Sequence, residues 1–275
     1  MIGVFDSGSG GLTVLSALRT HLPEQDFLYF GDHANAPYGH RSNEQIVELT
    51  RRGTDALMAA GCTLVVLACN TAAAIALRTL QQDWLPTAYP GNRILGVLVP
   101  MVEAITGVPW SQEHPNNSSE ITQNITLFAT RKTVESGAFA EEIGKRAPHL
   151  TLTGKACPGL VDAIEGGAGK GPLSGLIAGF VEEIINSAPD AVVLGCTHFP
   201  LVKQYFAEAL GDQVTIYSQP DIVAASLADY LSRHPELTTN GKSTIRLLTT
   251  AEPSDVKATN QFLPNGLTDF EKYTG

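Results

Sequence analysis

Basic residues are scarce and scattered in this chain. Its 275 residues carry 18 Lys and Arg against 28 Asp and Glu, a formal net charge of −10. Basic pairs such as Arg51-Arg52 and Arg131-Lys132 read as solvated helix surface. A nucleic-acid partner calls for a basic stripe, so none is expected. The acidic balance still allows an anionic small substrate, because a pocket can bind one through local donors. Long apolar runs are also missing. None approaches the roughly 20 residues that span a bilayer, so no membrane partner is expected. No basic segment followed by an apolar one opens the chain, so no secretory signal is expected and the location is read as cytoplasmic. Cysteines number four, with no Cys-x-x-Cys spacing. That spacing marks structural zinc sites and redox pairs. In a cytoplasmic chain the four read as free thiols rather than a disulfide framework. The Asn-x-Ser/Thr patterns at Asn116, Asn117 and Asn124 then read as chance matches.

What the sequence does hold is a core. Hydrophobic residues make up 43%, and the length suits two modest α/β units. Apolar runs alternate with amphipathic segments. Strands are expected near 2–5, 27–31, 63–68, 94–98, 124–128, 149–153, 190–195 and 213–216. Helices are expected over 11–21, 42–59, 72–83, 100–106, 131–146, 173–187, 199–210 and 220–232. This alternation implies parallel sheets with helices on both faces. A weaker strand is read near 244–249, ahead of a polar tail without assignment. Residues 107–123 and 165–172 are rich in turn formers and read as loops. The expected organisation is two similar open-sheet α/β domains related by a pseudo-repeat. Residues 1–98 plus 211–275 form the first and 99–210 the second.

The pseudo-repeat is visible in one phrase. Val65-Val66-Leu67-Ala68-Cys69-Asn70-Thr71 returns as Val192-Val193-Leu194-Gly195-Cys196-Thr197-His198. Each copy reads as a buried strand with a cysteine at its carboxyl end, where open α/β sheets bind ligands. A cysteine there is usually a small buried hydrophobe, and Cys62 and Cys157 are read so. Cys69 and Cys196 differ because polar residues follow each, and buried polar groups need partners. Two such thiols in a cleft between the units could work on opposite faces of one carbon, one removing a proton and the other delivering one. Forming a thiolate from a pKa near 8.5 costs only about 2 kcal/mol at neutral pH. A histidine or a helix start could offset that cost. Asp6 and His198 suit proton partners, and equally suit a cap or a loop position. Cys196-x-His198 is also one half of a possible zinc site.

Two further segments bear on a ligand. Asp6-Ser7-Gly8-Ser9-Gly10-Gly11 follows the first strand and opens a helix. It reads equally as a tight turn or as a cradle for a carboxylate or phosphate. The Gly-Lys-Ser/Thr ending of a nucleotide loop is missing. Pro37-Tyr38-Gly39 follows the second strand as a turn carrying an amphipathic ring.

Four motifs together resemble glutamate racemase. They are Phe5-Asp6-Ser7-Gly8-Ser9-Gly10-Gly11-Leu12-Thr13, Ala36-Pro37-Tyr38-Gly39, Ala68-Cys69-Asn70-Thr71-Ala72 and Gly195-Cys196-Thr197-His198-Phe199-Pro200-Leu201. The resemblance runs from the first strand to about residue 232. It implies two α/β domains with the active site in the cleft between them, no cofactor, no metal, and a homodimer. It implies that Cys69 acts on D-glutamate with Asp6, and Cys196 on L-glutamate with His198. Ser7, Pro37, Tyr38, Gly39, Asn70, Thr71 and Thr197 match substrate-binding positions. Thr130, Thr133 and Glu165 fall where the family carries residues near the substrate. Supply of D-glutamate for peptidoglycan is the implied role. Asp32-His33-Ala34-Asn35 departs from a segment that more often holds arginine, and residues 107–123 are longer than the family pattern. The histidine in Thr197-His198-Phe199-Pro200 favours glutamate over aspartate. An aspartate racemase and a non-catalytic amino-acid-binding or protein-binding relative stand as alternatives.

Overall fold

The computed structural model describes residues 1–112, 123–239, 241, 243–256 and 269–275. The chain divides into two compact units, Met1–Val97 with Pro220–Gly275, and Leu98–Gln219. Among the described residues, no helix is long and apolar enough to cross a membrane.

The first unit is built on strands β1 (Ile2–Asp6), β2 (Phe27–Gly31), β3 (Leu64–Leu67), β4 (Arg93–Gly96), β9 (Ile245–Thr249) and β10 (Phe270–Lys272). They form one parallel sheet in the order β10-β9-β2-β1-β3-β4. Every residue of β1, β2 and β3 is buried. That is why they read as continuous apolar runs rather than alternating ones. Fully burying a valine or leucine side chain is worth about 1.5–3 kcal/mol, so Val65, Val66 and Leu67 hold β3 and the residues after it firmly. Helices α1 (Leu12–His21), α2 (Asn43–Ala59), α3 (Asn70–Thr79), α4 (Leu85–Ala88) and α11 (Gln219–Arg233) complete the unit, α11 entering it at Pro220. Ser42 and Gln45 start α2 with a reciprocal capping box, satisfying two backbone donors that would otherwise be left open.

The second unit holds β5 (Gln123–Ala129), β6 (Leu150–Ala156), β7 (Ala191–Gly195) and β8 (Thr215–Ser218) in the parallel order β6-β5-β7-β8. Its helices are α5 (Leu98–Thr106), α6 (Arg131–Glu135), α7 (Ala138–Arg146), α8 (Leu160–Glu165), α9 (Lys170–Glu182) and α10 (Lys203–Leu210). The core order of the first sheet, β2-β1-β3-β4, is the same pattern. In each, the chain leaves its first strand toward one edge and returns to the other side. That leaves a topological switch point between β1 and β3, and another between β5 and β7.

Several expectations change. Residues 211–219 belong to the second unit rather than the first, because β8 pairs with β7. The helix expected over 131–146 is two, α6 and α7, broken where Gly137 adopts a left-handed φ of 67°. Helix α8 and the short edge strand β10 were not foreseen. Of the loop expected over 107–123, residues 113–122 lie outside the described residues, as do 257–268 of the polar tail.

Candidate active site

In the first unit, the register sets Phe5 against Leu67 and Asp6 against Gly31. Asp6, Asp32 and Cys69 therefore leave three neighbouring strands at the carboxyl edge of the sheet. Asp6 is fully buried and its Oδ1 accepts the backbone N–H of Gly8 at 2.9 Å. Cys69 caps α3, its Sγ accepting from the N–H of Ala72 at 3.5 Å. A helix start favours a negative sulfur, since its open N–H groups and dipole face it. The hydroxyl of Ser7 lies 3.3 Å from the same sulfur. Asn70 and Thr71 form the first turn of α3, and both are buried.

Tyr38 is also buried. Pro37 and Gly39 flank it, and a short 3-10 turn runs over Tyr38–His40. Its hydroxyl donates to Asp32 Oδ2 at 2.7 Å. Burial, then the charge and hydrogen bond of Asp32, then Cys69 and Asp6, push the phenol far above its ordinary range. Its proton stays on.

In the second unit, Ala129 is in register with both Ala156 and Gly195. Thr130, Cys157 and Cys196 thus follow three neighbouring strands at one level. Thr130 caps α6, accepting from Thr133 N at 3.3 Å, with the two hydroxyls 3.0 Å apart. Cys196, Thr197 and His198 are all buried. Cys196 Sγ is 3.9 Å from His198 Nδ1, and His198 Nε2 is 2.8 Å from Glu165 Oε1. Burial pulls the imidazole pKa down, but the hydrogen bonds to Cys196 and Glu165 outweigh it and raise it to about 10. At neutral pH the ring is therefore a cation that donates on both sides, toward the sulfur and to the carboxylate.

The other two thiols are different. Burial pushes Cys62 up to about 11. Burial, followed by nearby Cys196, pushes Cys157 higher still. Among the described residues, no three His, Cys, Asp or Glu side chains gather as metal ligands.

Sequence reasoning missed what holds several of these residues. Glu165 was expected near the substrate, and its contact is with His198, supplied from α8. Asp32 stood out only as part of a segment that departs from the family pattern, and Thr250 was not singled out. Thr250 donates to Asp32 Oδ1 at 2.8 Å. The one available signal for Asp32 was a carboxylate at the end of an apolar strand, the same signal that marked Asp6.

Comparison with known proteins agrees with these motifs. No protein-family model matches the chain. A glutamate racemase of Paracoccus denitrificans is 47% identical over 266 residues, which cover 95% of this chain and 96% of that one. The crystal structure of glutamate racemase isoform RacE1 from Bacillus anthracis superposes with a TM-score of 0.86 at 26% identity, over 100% of this chain and 97% of that one. A glutamate racemase from Francisella tularensis, solved in complex with D-glutamate, gives 0.85 at 26% identity over 99% and 97%. With two sheets of one topology, a thiol at the switch point of each, and relatives matched over nearly the whole length, the chain belongs to the glutamate racemase family.

Proposed function

We propose that this protein interconverts L- and D-glutamate without a cofactor by passing the α-proton between two thiols. Cys69, partnered by Asp6, removes the proton from D-glutamate or returns it. Cys196, partnered by His198, does the same for L-glutamate. Each unit contributes one base, and the two act on opposite faces of one carbon. The observation that carries this reading is the matched placement of Cys69 and Cys196 at the switch points of equivalent sheets, each among hydrogen-bonding partners. A chance buried cysteine has no need of a helix start or an imidazolium beside it.

The chemistry explains the partners. The α-hydrogen of an amino acid is very weakly acidic, so the base must be a thiolate and the developing carbanion must meet fixed donors in a dry site. His198 Nδ1 stands beside the Cys196 sulfur as its hydrogen-bond partner. The N–H groups at the start of α3 and the Ser7 hydroxyl do the same for Cys69. Ser7, Pro37, Tyr38, Gly39, Asn70, Thr71, Thr130, Thr133 and Thr197 hold the substrate. The serine and threonine hydroxyls, the Asn70 amide and the backbone N–H groups of this set bind carboxylates without requiring a basic chain. Glu165 keeps His198 charged and oriented. The D-glutamate formed serves peptidoglycan, the role the family implies, and the working form is a homodimer.

The test is incubation of the purified, cofactor-free protein with L-glutamate in heavy water, beside a sample with L-aspartate. Circular dichroism follows loss of optical activity and proton NMR follows loss of the α-hydrogen signal. Racemisation with exchange on glutamate alone is the expected result. Exchange on aspartate alone would keep the mechanism and overturn the substrate. No change in either amino acid under reducing conditions would remove the racemase reading altogether.

A further inference from the structure

We propose that Asp32 and Thr250 act as positioning residues for the substrate, working through Tyr38. The proposal rests on the glutamate reading above, in which the Pro37-Tyr38-Gly39 turn holds substrate.

Asp32 is buried at the carboxyl end of β2, with 3% of its surface exposed. A buried carboxylate is costly unless donors surround it. Three do. Tyr38 donates to Oδ2 at 2.7 Å, and Asn35 Nδ2 and the Thr250 hydroxyl donate to Oδ1 at 2.9 and 2.8 Å. Thr250 is saturated in turn, since its hydroxyl oxygen accepts the N–H of Ala34 at 3.0 Å. Its own backbone N–H reaches Gly31 O at 3.2 Å, extending the β2–β9 ladder by one step. One threonine, more than 200 residues away in sequence, therefore ties together the carboxylate, the His33–Asn35 turn and the strand that precedes them.

The tie has a chemical consequence at Tyr38. A phenol hydroxyl can donate or accept, but an ionised carboxylate only accepts. Tyr38 must therefore spend its proton on Asp32. On its other side the phenolic oxygen presents lone pairs only. It can receive an ammonium or a thiol S–H, and it disfavours a carboxylate. Asp32 thereby fixes both the place of the turn and the sense of the hydrogen bond it offers. Loosening the clamp should weaken the hold on glutamate while leaving the two thiols and their partners in place.

The experiment is steady-state racemisation of L-glutamate by wild type, Thr250→Val, Thr250→Ser and Tyr38→Phe, and by Thr250→Val combined with Tyr38→Phe, with thermal melts of each. Valine keeps the shape of threonine and loses the hydroxyl. A lost hydrogen bond to a charged acceptor corresponds to a KM higher by roughly tenfold, with kcat within about twofold of wild type. Serine should restore KM. In the Tyr38→Phe background the Thr250→Val change should add nothing further to KM, because the group it acts through is gone. A wild-type KM in Thr250→Val, with or without a lower melting temperature, would overturn the clamp and leave the glutamate reading standing. An undiminished KM effect in the Tyr38→Phe background would overturn the route through Tyr38. Failure of the wild-type protein to racemise glutamate would overturn the glutamate reading itself, and the clamp's role in substrate binding with it.

Discussion

Glu165 Oε1 lies 2.8 Å from His198 Nε2, while the other ring nitrogen, Nδ1, faces Cys196 at 3.9 Å. The histidine is thus held between an acid on one side and a thiol on the other. With its pKa raised to about 10, its stabilising contribution is complete below the ordinary histidine value of about 6.5 and fades as pH rises through about 10. Glu165→Gln removes one of the groups that raise it. The alkaline limb of the rate profile for L-glutamate should then move to lower pH, and stability between neutral pH and about pH 10 should fall. Rate and melting temperature measured across that range are the check, and an unmoved alkaline limb would remove Glu165 from this role.

Single replacement of either proposed base separates the two faces of the reaction. Cys69→Ala and Cys196→Ala should each lower racemisation by at least about a thousandfold. Cys69→Ala should still exchange the α-proton of L-glutamate, and Cys196→Ala that of D-glutamate. Proton NMR in heavy water with each enantiomer reads this directly. Full racemisation by either variant would sink the two-base mechanism.

Gly11 has no room for a side chain. A Cβ there would sit 2.6 Å from Asp6 Cβ and 2.9 Å from its Cγ. Its φ of −61° is ordinary, so the cost of Gly11→Ala is steric rather than conformational. Overpacking of this kind destabilises by about 1–3 kcal/mol. Denaturant melts should show that loss, and D-glutamate turnover should fall with the displacement of Asp6. A variant with wild-type stability would mean that Asp6 has somewhere to go.

Cys62 should be dispensable to the reaction. Burial holds its thiol up to about 11, so at neutral pH it offers little thiolate. Cys62→Ala should keep full turnover and cost about 1 kcal/mol of stability for the lost packing. Iodoacetamide labelling followed by mass spectrometry should mark Cys62 and Cys157 after the other two thiols in the folded protein. Early labelling of Cys62 would contradict its burial.

Much of this was legible from periodicity and much was not, for identifiable reasons. The fully buried strands β1, β2, β3 and β7 announced themselves as apolar runs, and the thiols after β3 and β7 followed from the repeat. The break at Gly137 was hidden because a single glycine within an amphipathic run costs only about 1 kcal/mol and often lies inside a helix. Strand β8 has no fully buried residue, so nothing in its own pattern tied it to the second sheet, and the reading assigned it to the first unit until its pairing with β7 was seen. Asp32 and Thr250 were out of reach because their contact joins positions far apart in sequence, through a parallel ladder that local patterns do not encode. The Glu165–His198 pair was hidden for the same reason.

One feature of the connectivity bears on how the protein is made. The Cys196 unit is a single continuous stretch, 98–219, whereas the Cys69 unit is completed only by 220–275. Protein domains fold as units during synthesis, from the amino terminus onward. On the ribosome, the later-starting unit is therefore the first to be whole. The earlier one waits with β2 as an open edge until β9 emerges and brings Thr250 to Asp32. A nascent chain stopped short of β9 lacks that clamp, although every residue proposed to touch the α-carbon has already been translated.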